Sequence, residues 1–136
     1  MSKLSVTNER GKNMIYGYCR VSTKGQAKDG NSLTSQEQDI LERYKDALIC
    51  KEAYTGTTTD RPVFSEVVKM MKEHDMLVVT KLDRLARNTE EGIHIVKELF
   101  KKKCSVHVLN VGLLEDTAMG QFFITTLLAV AELERN

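Results

Sequence analysis

The sequence has no tryptophan, a single proline and three cysteines, and its formal net charge at neutral pH is only +1. Each scarcity excludes something. With 41% apolar and 29% charged residues and little proline or glycine, the chain is neither a disordered nor a fibrous protein. Cys19, Cys50 and Cys104 are far apart and form no C-x-x-C pair. His74, His94 and His107 fall into no ligand spacing, so neither a zinc site nor a disulfide framework is expected, and the reducing cytoplasm is the natural compartment. The absence of a basic excess means that any grip on a polyanion must come from local arginines or from another part of the protein. Long hydrophobic runs are missing too. The longest uncharged stretch, Thr117 to Ala131, falls short of the ~20 apolar residues of a membrane span, and Met1 to Asn13 is too polar for a signal peptide. No membrane association is expected.

What is present is an alternation. Residues 1–13 read as a flexible N-terminal arm. Met14 to Val21 is rich in β-formers and predicts a first strand. Leu33, Ile40, Leu41 and Tyr44 recur at helical spacing and predict a helix over Leu33 to Ala47, capped by Ser32 or Thr34. Leu48 to Tyr54 predicts a second strand. A helix from Pro62 to about His74 follows, with the proline in its first turn. Met76 to Thr80 is the clearest buried strand, Thr89 to Lys103 an amphipathic helix, Ser105 to Val111 a fourth strand, and Thr117 onward a helix still running at Asn136. Strand and helix in turn predict an α/β domain with a central, mostly parallel sheet.

In such sheets, sites form outside the carboxyl ends of the strands. The first strand ends in "YCRVSTKGQ", where Arg20 and Ser22 share one face by strand alternation and Cys19 takes the other. The third ends in "TKLDRLARN", whose Asp83, Arg84 and Arg87 share a small surface if Asp83 opens a helical turn. The second leads into "TTTDRP", with Arg61 just before a helix. Taken singly, these fit a salt-bridging arginine beside a turn serine, a capped helix start and a loop arginine. Together they bring arginines and one hydroxyl to one edge. Clustered arginines imply an anion between them, and the guanidinium fork suits phosphate oxygens. A serine in such a nest points to nucleophilic attack on phosphorus, with a carboxylate such as Asp83 orienting or deprotonating groups. There is no G-x-S-x-G elbow and no P-loop.

The stretches "YCRVSTKGQ", "TTTDRP", "KLDRLARN", "AMG" (Ala118 to Gly120) and "LAVAELER" (Leu128 to Arg135), in that order, resemble the catalytic domain of the serine recombinases, the resolvase/invertase family. The resemblance covers nearly everything from Met14 onward. It implies a flavodoxin-like, resolvase-like three-layer fold with sheet order 2-1-3-4 over residues 14–116. Residues 117–136 would begin a long oligomerisation helix, cut before DNA-binding regions. It implies site-specific DNA recombination through a 5′-phosphoserine at Ser22, with Arg20, Arg84 and Arg87 around the phosphate, Arg61 nearby and Asp83 positioning or protonating the departing groups. Gln26 and Arg135 match supporting positions, and Glu52 stands where small resolvases carry an aspartate. No metal or other cofactor is implied. The partners implied are double-stranded DNA attachment sites and further copies of the chain, as dimers pairing into a tetramer. The longer "GQAKDGNSLTSQ" resembles the large serine integrases.

The composition of the last helix calls for a second partner, most simply another copy of the chain, or else parts of the protein outside this sequence. Ten of the fifteen residues from Met119 to Leu133 are apolar, more than one face of a surface helix needs. Two other functions fit the same residues: a phosphatase or phosphotransfer enzyme using the anion nest on small phosphate esters, and a non-catalytic interaction module of the same fold.

Overall fold

The computed structural model describes residues 13–22, 32–54 and 61–135, the side chains of Ser22, Tyr54 and Arg135 excepted. The chain runs β1 (Ile15–Ser22), α1 (Leu33–Arg43), β2 (Leu48–Tyr54), α2 (Pro62–Met70), β3 (Met76–Val79), α3 (Leu82–Leu85), α4 (Thr89–Lys101), β4 (Ser105–Val108), β5 (Gly112–Leu114) and α5 (Ala118–Arg135). Among the described residues the strands form one sheet in the order β2-β1-β3-β4-β5. Pairing is parallel except for the antiparallel β4–β5 hairpin. The expected order 2-1-3-4 holds, and β5 extends it.

The sheet is the middle of three layers. On one face Tyr16, Tyr18, Leu77, Val79, Val106 and Val108 pack with Phe64 and Val67 of α2 and Val96 and Leu99 of α4. Ile124, Leu127 and Ala131 of α5 close that core from outside, against α4. The other face is thinner: Cys19 and Val78 meet Ile40 of α1, with Ile15, Tyr44 and Ile49 around them. Cys19 is therefore a core residue, and burial pushes its thiol up to about 12.

Local chemistry sets the helix ends. Ser32 caps α1 by accepting from the Ser35 N–H (3.1 Å). Helix α1 stops at Arg43, short of the expected Ala47, because Tyr44 is already extended. Helix α2 starts at Pro62 but ends at Met70, and the chain then turns through His74 at φ 75°. Helix α4 ends in a Schellman motif, with Cys104 N–H donating to Leu99 O and Lys103 N–H to Phe100 O, both 2.9 Å. Its left-handed residue is Lys103 (φ 62°), where glycine is usual. The expected strand over Ser105 to Val111 instead stops at Val108 and turns back into β5 through Gly112, at φ 144°.

Gly120 explains the "AMG" stretch. A Cβ there would lie 1.7 Å from the Glu115 carbonyl oxygen and 3.2 Å from the Phe100 ring. Only glycine lets the first turn of α5 settle on α4 and the β5 end. Gly120→Ala should therefore destabilise the fold by about 2–3 kcal/mol in chemical denaturation. At Gly92, inside α4, an added Cβ meets, among the described residues, only Ala86 at 3.5 Å. There the better helix former wins, and Gly92→Ala should stabilise by ~0.5 kcal/mol.

On the α1 face, the Tyr44 hydroxyl and Nδ1 of buried His107 share a hydrogen bond (2.5 Å). Burial, and then the Arg43 charge, hold His107 below the ordinary histidine range. Its neutral form belongs to the native state, while the unfolded chain takes up a proton near ~6.5. Stability is thus present above that value and falls as pH drops through the folded value, because the unfolded state binds more protons. Melting temperature should decline on acidification below about pH 7, and His107→Gln should flatten that decline.

Candidate active site

Strands β1, β2, β3 and β4 run parallel and bring their carboxyl ends to one edge. The segment after β3 crosses that edge, and its short helix α3 packs against β1 and β3. Strand alternation places Arg20 on the same face as Tyr16 and Tyr18, and it is 5% exposed. A guanidinium at that depth requires acceptors. Arg20 Nη2 donates to the backbone carbonyl of Asp83, which ties the end of β1 to the first turn of α3. Ser22 ends β1 two residues later, opposite Tyr54 of β2. The Ser22 side chain, Gln26 and the Arg135 side chain lie outside the described residues; the backbone of Arg135 closes α5.

Gln36 fixes the backbone at Arg20. Its Oε1 accepts from the Arg20 N–H and its Nε2 donates to the Arg20 carbonyl, both 3.1 Å. The side-chain amide acts as a substitute peptide where β1 runs on past its pairing with β3, which ends at Gly17 and Val78. Gln36 went unnoticed in the sequence, although it lies four residues before core Ile40 on the buried stripe of α1.

The other arginines divide into two kinds. Arg84 and Arg87 are the outward pair. The Arg84 side chain is 18% exposed and its closest carboxylate oxygen is Asp83 Oδ1, at 3.7 Å, beyond hydrogen-bond distance. Its buried Nε has no hydrogen-bond partner among the described residues. Arg87 is held by Glu91, with Nη2 to Oε2 at 2.7 Å and Nε to Oε1 at 3.3 Å, while its N–H also reaches Oε1 at 2.7 Å. Asp83 is 72% exposed and stands beside this pair.

Arg61 is the inward kind. Its guanidinium lies 3.9 Å from the Phe64 ring centroid and 5.4 Å from that of Tyr18. Nη2 donates to Leu85 O (2.8 Å) and Arg84 O (3.5 Å), and Nη1 pairs with Glu91 at 3.4 Å. The sequence seated Arg61 near the phosphate; its observed partners are protein atoms, and it clamps the carbonyl end of α3.

Glu52 likewise has a structural partner set. It sits opposite Arg20 in the β1–β2 register and is 5% exposed. It accepts from the Tyr18 hydroxyl (2.5 Å) and from the N–H groups of Val63 (2.9 Å) and Phe64 (3.2 Å). Those are orphan donors in the first turn of α2, whose N-cap residue Arg61 makes no side-chain cap. A carboxylate there is also favoured by the helix dipole. Burial, and then the bond to Glu52, push the Tyr18 hydroxyl well above the usual tyrosine range.

Glu91 is the second residue that the sequence hid, although i, i+4 spacing from Arg87 offered a signal. Asn88 caps α4 by accepting from the Glu91 N–H (2.8 Å), which presents the Glu91 carboxylate to both Arg61 and Arg87. Burial alone would raise its carboxyl. The Arg87 hydrogen bonds and the charges of Arg61 and Arg87 outweigh this and hold it below the usual range. Among the described residues no three His, Cys, Asp or Glu side chains gather as a metal-holding group.

Because Glu52 joins β2, Tyr18 and the α2 terminus, Glu52→Gln should cost about 1–3 kcal/mol in chemical denaturation, as the amide keeps one acceptor oxygen but turns an NH2 group on the other side toward a first-turn N–H that loses its acceptor. Tyr18→Phe, which removes one bond from a carboxylate that keeps its others, should cost only ~1 kcal/mol.

The chain is similar to known proteins. Residues 15–136 match the family described as "Resolvase, N terminal domain". The transposon Tn917 resolvase of Enterococcus faecalis is 37% identical over 125 residues, which are 90% of this chain and 64% of that protein. A DNA-invertase of Enterobacteria phage P7 is 35% identical over 90% of this chain and 62% of its own length. The chain thus spans a little under two thirds of these relatives. Among solved structures, the N-terminal catalytic domain of TP901-1 integrase superposes with a TM-score of 0.69 at 30% identity, covering 90% of this chain and 97% of that one. The chain belongs to the resolvase family of serine recombinases, and residues 15–136 are its N-terminal catalytic domain.

Proposed function

We propose that this domain cuts and rejoins DNA in site-specific recombination, with Ser22 as the nucleophile. The serine Oγ attacks a backbone phosphorus. An Oγ–P bond forms and the P–O3′ bond breaks, leaving a 5′-phosphoserine and a free 3′-hydroxyl that takes up a proton as the serine loses one. The reverse step, with a different 3′-hydroxyl, rejoins the strands, and the bond energy is kept in the phosphoserine. Arg84 and Arg87 bind the non-bridging oxygens and stabilise the charge on five-coordinate phosphorus. Asp83 orients Arg84 and the departing oxygen. Arg20 and Arg61 set the frame, and Gln26 and Arg135 support the site.

The observation that carries this reading is the bond from Arg20 to the Asp83 carbonyl. It holds the strand that ends in Ser22 against the turn that bears Arg84 and Arg87.

The substrate is double-stranded DNA at attachment sites, and the working form is a dimer that pairs into a tetramer on it, in the cytoplasm. Met119 (75% exposed), Phe122 (65%) and Leu133 (74%), with Val130 between, form an apolar stripe on α5 away from its buried side, which suits a second copy of the helix. Among the described residues no helix is long and apolar enough to cross a membrane. We assign the chain to the integrase branch, on the likeness to the TP901-1 domain and the long segment after Gln26, most of which lies outside the described residues.

The test is a duplex carrying the recombination site, nicked so that rejoining fails. Wild-type protein should accumulate a covalent protein–DNA adduct that survives denaturation, and Ser22→Ala should form none. Arg84→Ala and Arg87→Ala should each slow its appearance by ~10²–10³-fold. An adduct of undiminished yield in Ser22→Ala would refute the serine as nucleophile.

A further inference from the structure

We infer that Glu91 is a built-in stand-in for the DNA phosphate, a carboxylate that occupies the Arg87 fork until a phosphodiester displaces it. The inference rests on the proposed phosphate role of Arg87 and adds a control element to that site.

The geometry is that of an exchangeable pair. Glu91 meets Arg87 through Nη2 (2.7 Å) and Nε (3.3 Å), a two-pronged contact that a phosphate also makes. Arg87 cannot offer these donors to DNA while the carboxylate holds them. Arg87 is 40% exposed and Glu91 21%, so the pair is open to an incoming anion.

Glu91 also has a reason to be there when no DNA is bound. The Arg61 side chain is 8% exposed and needs a counter-charge in the folded domain. The two carboxylate oxygens divide the work. Oε1 serves Arg61 (3.4 Å), the Arg87 backbone N–H (2.7 Å) and, at 3.3 Å, Arg87 Nε, while Oε2 serves Arg87 Nη2 alone among the described contacts. Rotation of the Arg87 side chain onto a phosphate therefore leaves the Glu91–Arg61 pair and the start of α4 in place. The exchange needs no unfolding, and it lowers the affinity of the resting site for stray anions.

The test uses dimethyl phosphate, the smallest phosphodiester, titrated into the chain at constant ionic strength. Glu91→Gln keeps the shape and an acceptor for the Arg87 N–H but removes the charge. It should bind the probe at least about tenfold more tightly than wild type while melting at a lower temperature. A purely structural glutamate would lower both. Glu98→Gln makes the same charge change two turns along α4, where Glu98 pairs with Lys101, and should leave probe affinity unchanged. Adding Arg87→Gln to Glu91→Gln should abolish the gain. A measurement without substitution serves as well: the Arg87 Nε–H resonance should shift on titration, and that of Arg43, on the far face of the sheet, should not.

Unchanged or weaker binding by Glu91→Gln, a gain matched by Glu98→Gln, or a static Arg87 signal would overturn the exchange. These outcomes separate from those of the recombination assay. A protein that forms the Ser22 adduct but shows no gain in Glu91→Gln keeps its chemistry and loses this control. A gain in Glu91→Gln without any Ser22 adduct keeps the exchange and removes the chemistry.

Discussion

A charged guanidinium buried at the end of a strand must be satisfied by something, and at Arg20 that requirement organises the site. Its Nη2 takes the carbonyl of Asp83, sixty-three positions away in sequence, while Gln36 holds the Arg20 backbone from the opposite layer. The end of β1 is thereby fixed from both faces of the sheet. Removal of an acceptor from a buried arginine costs far more than loss of a surface ion pair. The link therefore couples the integrity of the core to the placement of the segment from Asp83 to Arg87.

The four arginines divide between frame and surface. Arg20 and Arg61 turn inward onto carbonyls, aromatic faces and Glu91. Arg84 and Arg87 are the more exposed pair, Arg87 resting on the Glu91 carboxylate. Glu52 belongs to the frame as well: it fastens α2 to the sheet through two N–H groups and the Tyr18 hydroxyl. An inner set of charges tied to protein atoms thus supports the more exposed pair, to which the proposed function gives the phosphate.

Much of this was legible in the sequence, for physical reasons. The strand–helix alternation follows from hydrophobic runs suited to the inside of a covered parallel sheet, while the order of the first four strands came from the family resemblance. The convergence of Arg20 with Asp83 follows from strand ends meeting at one edge. The hairpin to β5 was not legible, because Ser105 to Val111 reads as one continuous strand and the turn depends on the backbone at Gly112. The end of α4 was hidden because Lys103 occupies a left-handed position that glycine would have announced. Gln36 and Glu91 were missed for a common reason. Each is a polar helical residue of a kind normally solvated, and its function comes from a partner on another element or in the preceding loop. Arg61 and Glu52 were singled out as candidates, but their partners, a helix end and a helix start, are tertiary and leave no mark in composition or spacing.

The central claim is that Ser22, Arg84 and Arg87 converge on a single backbone phosphate. Crystals of the protein grown with vanadate, which adopts the five-coordinate geometry of the transferring phosphorus, test it most directly. The expected result is one vanadate bound by the Arg84 and Arg87 guanidiniums with the Ser22 Oγ in its coordination shell. A vanadate held by both arginines with Ser22 directed elsewhere, or an arginine pair that takes up no anion at saturating vanadate, would contradict the claim.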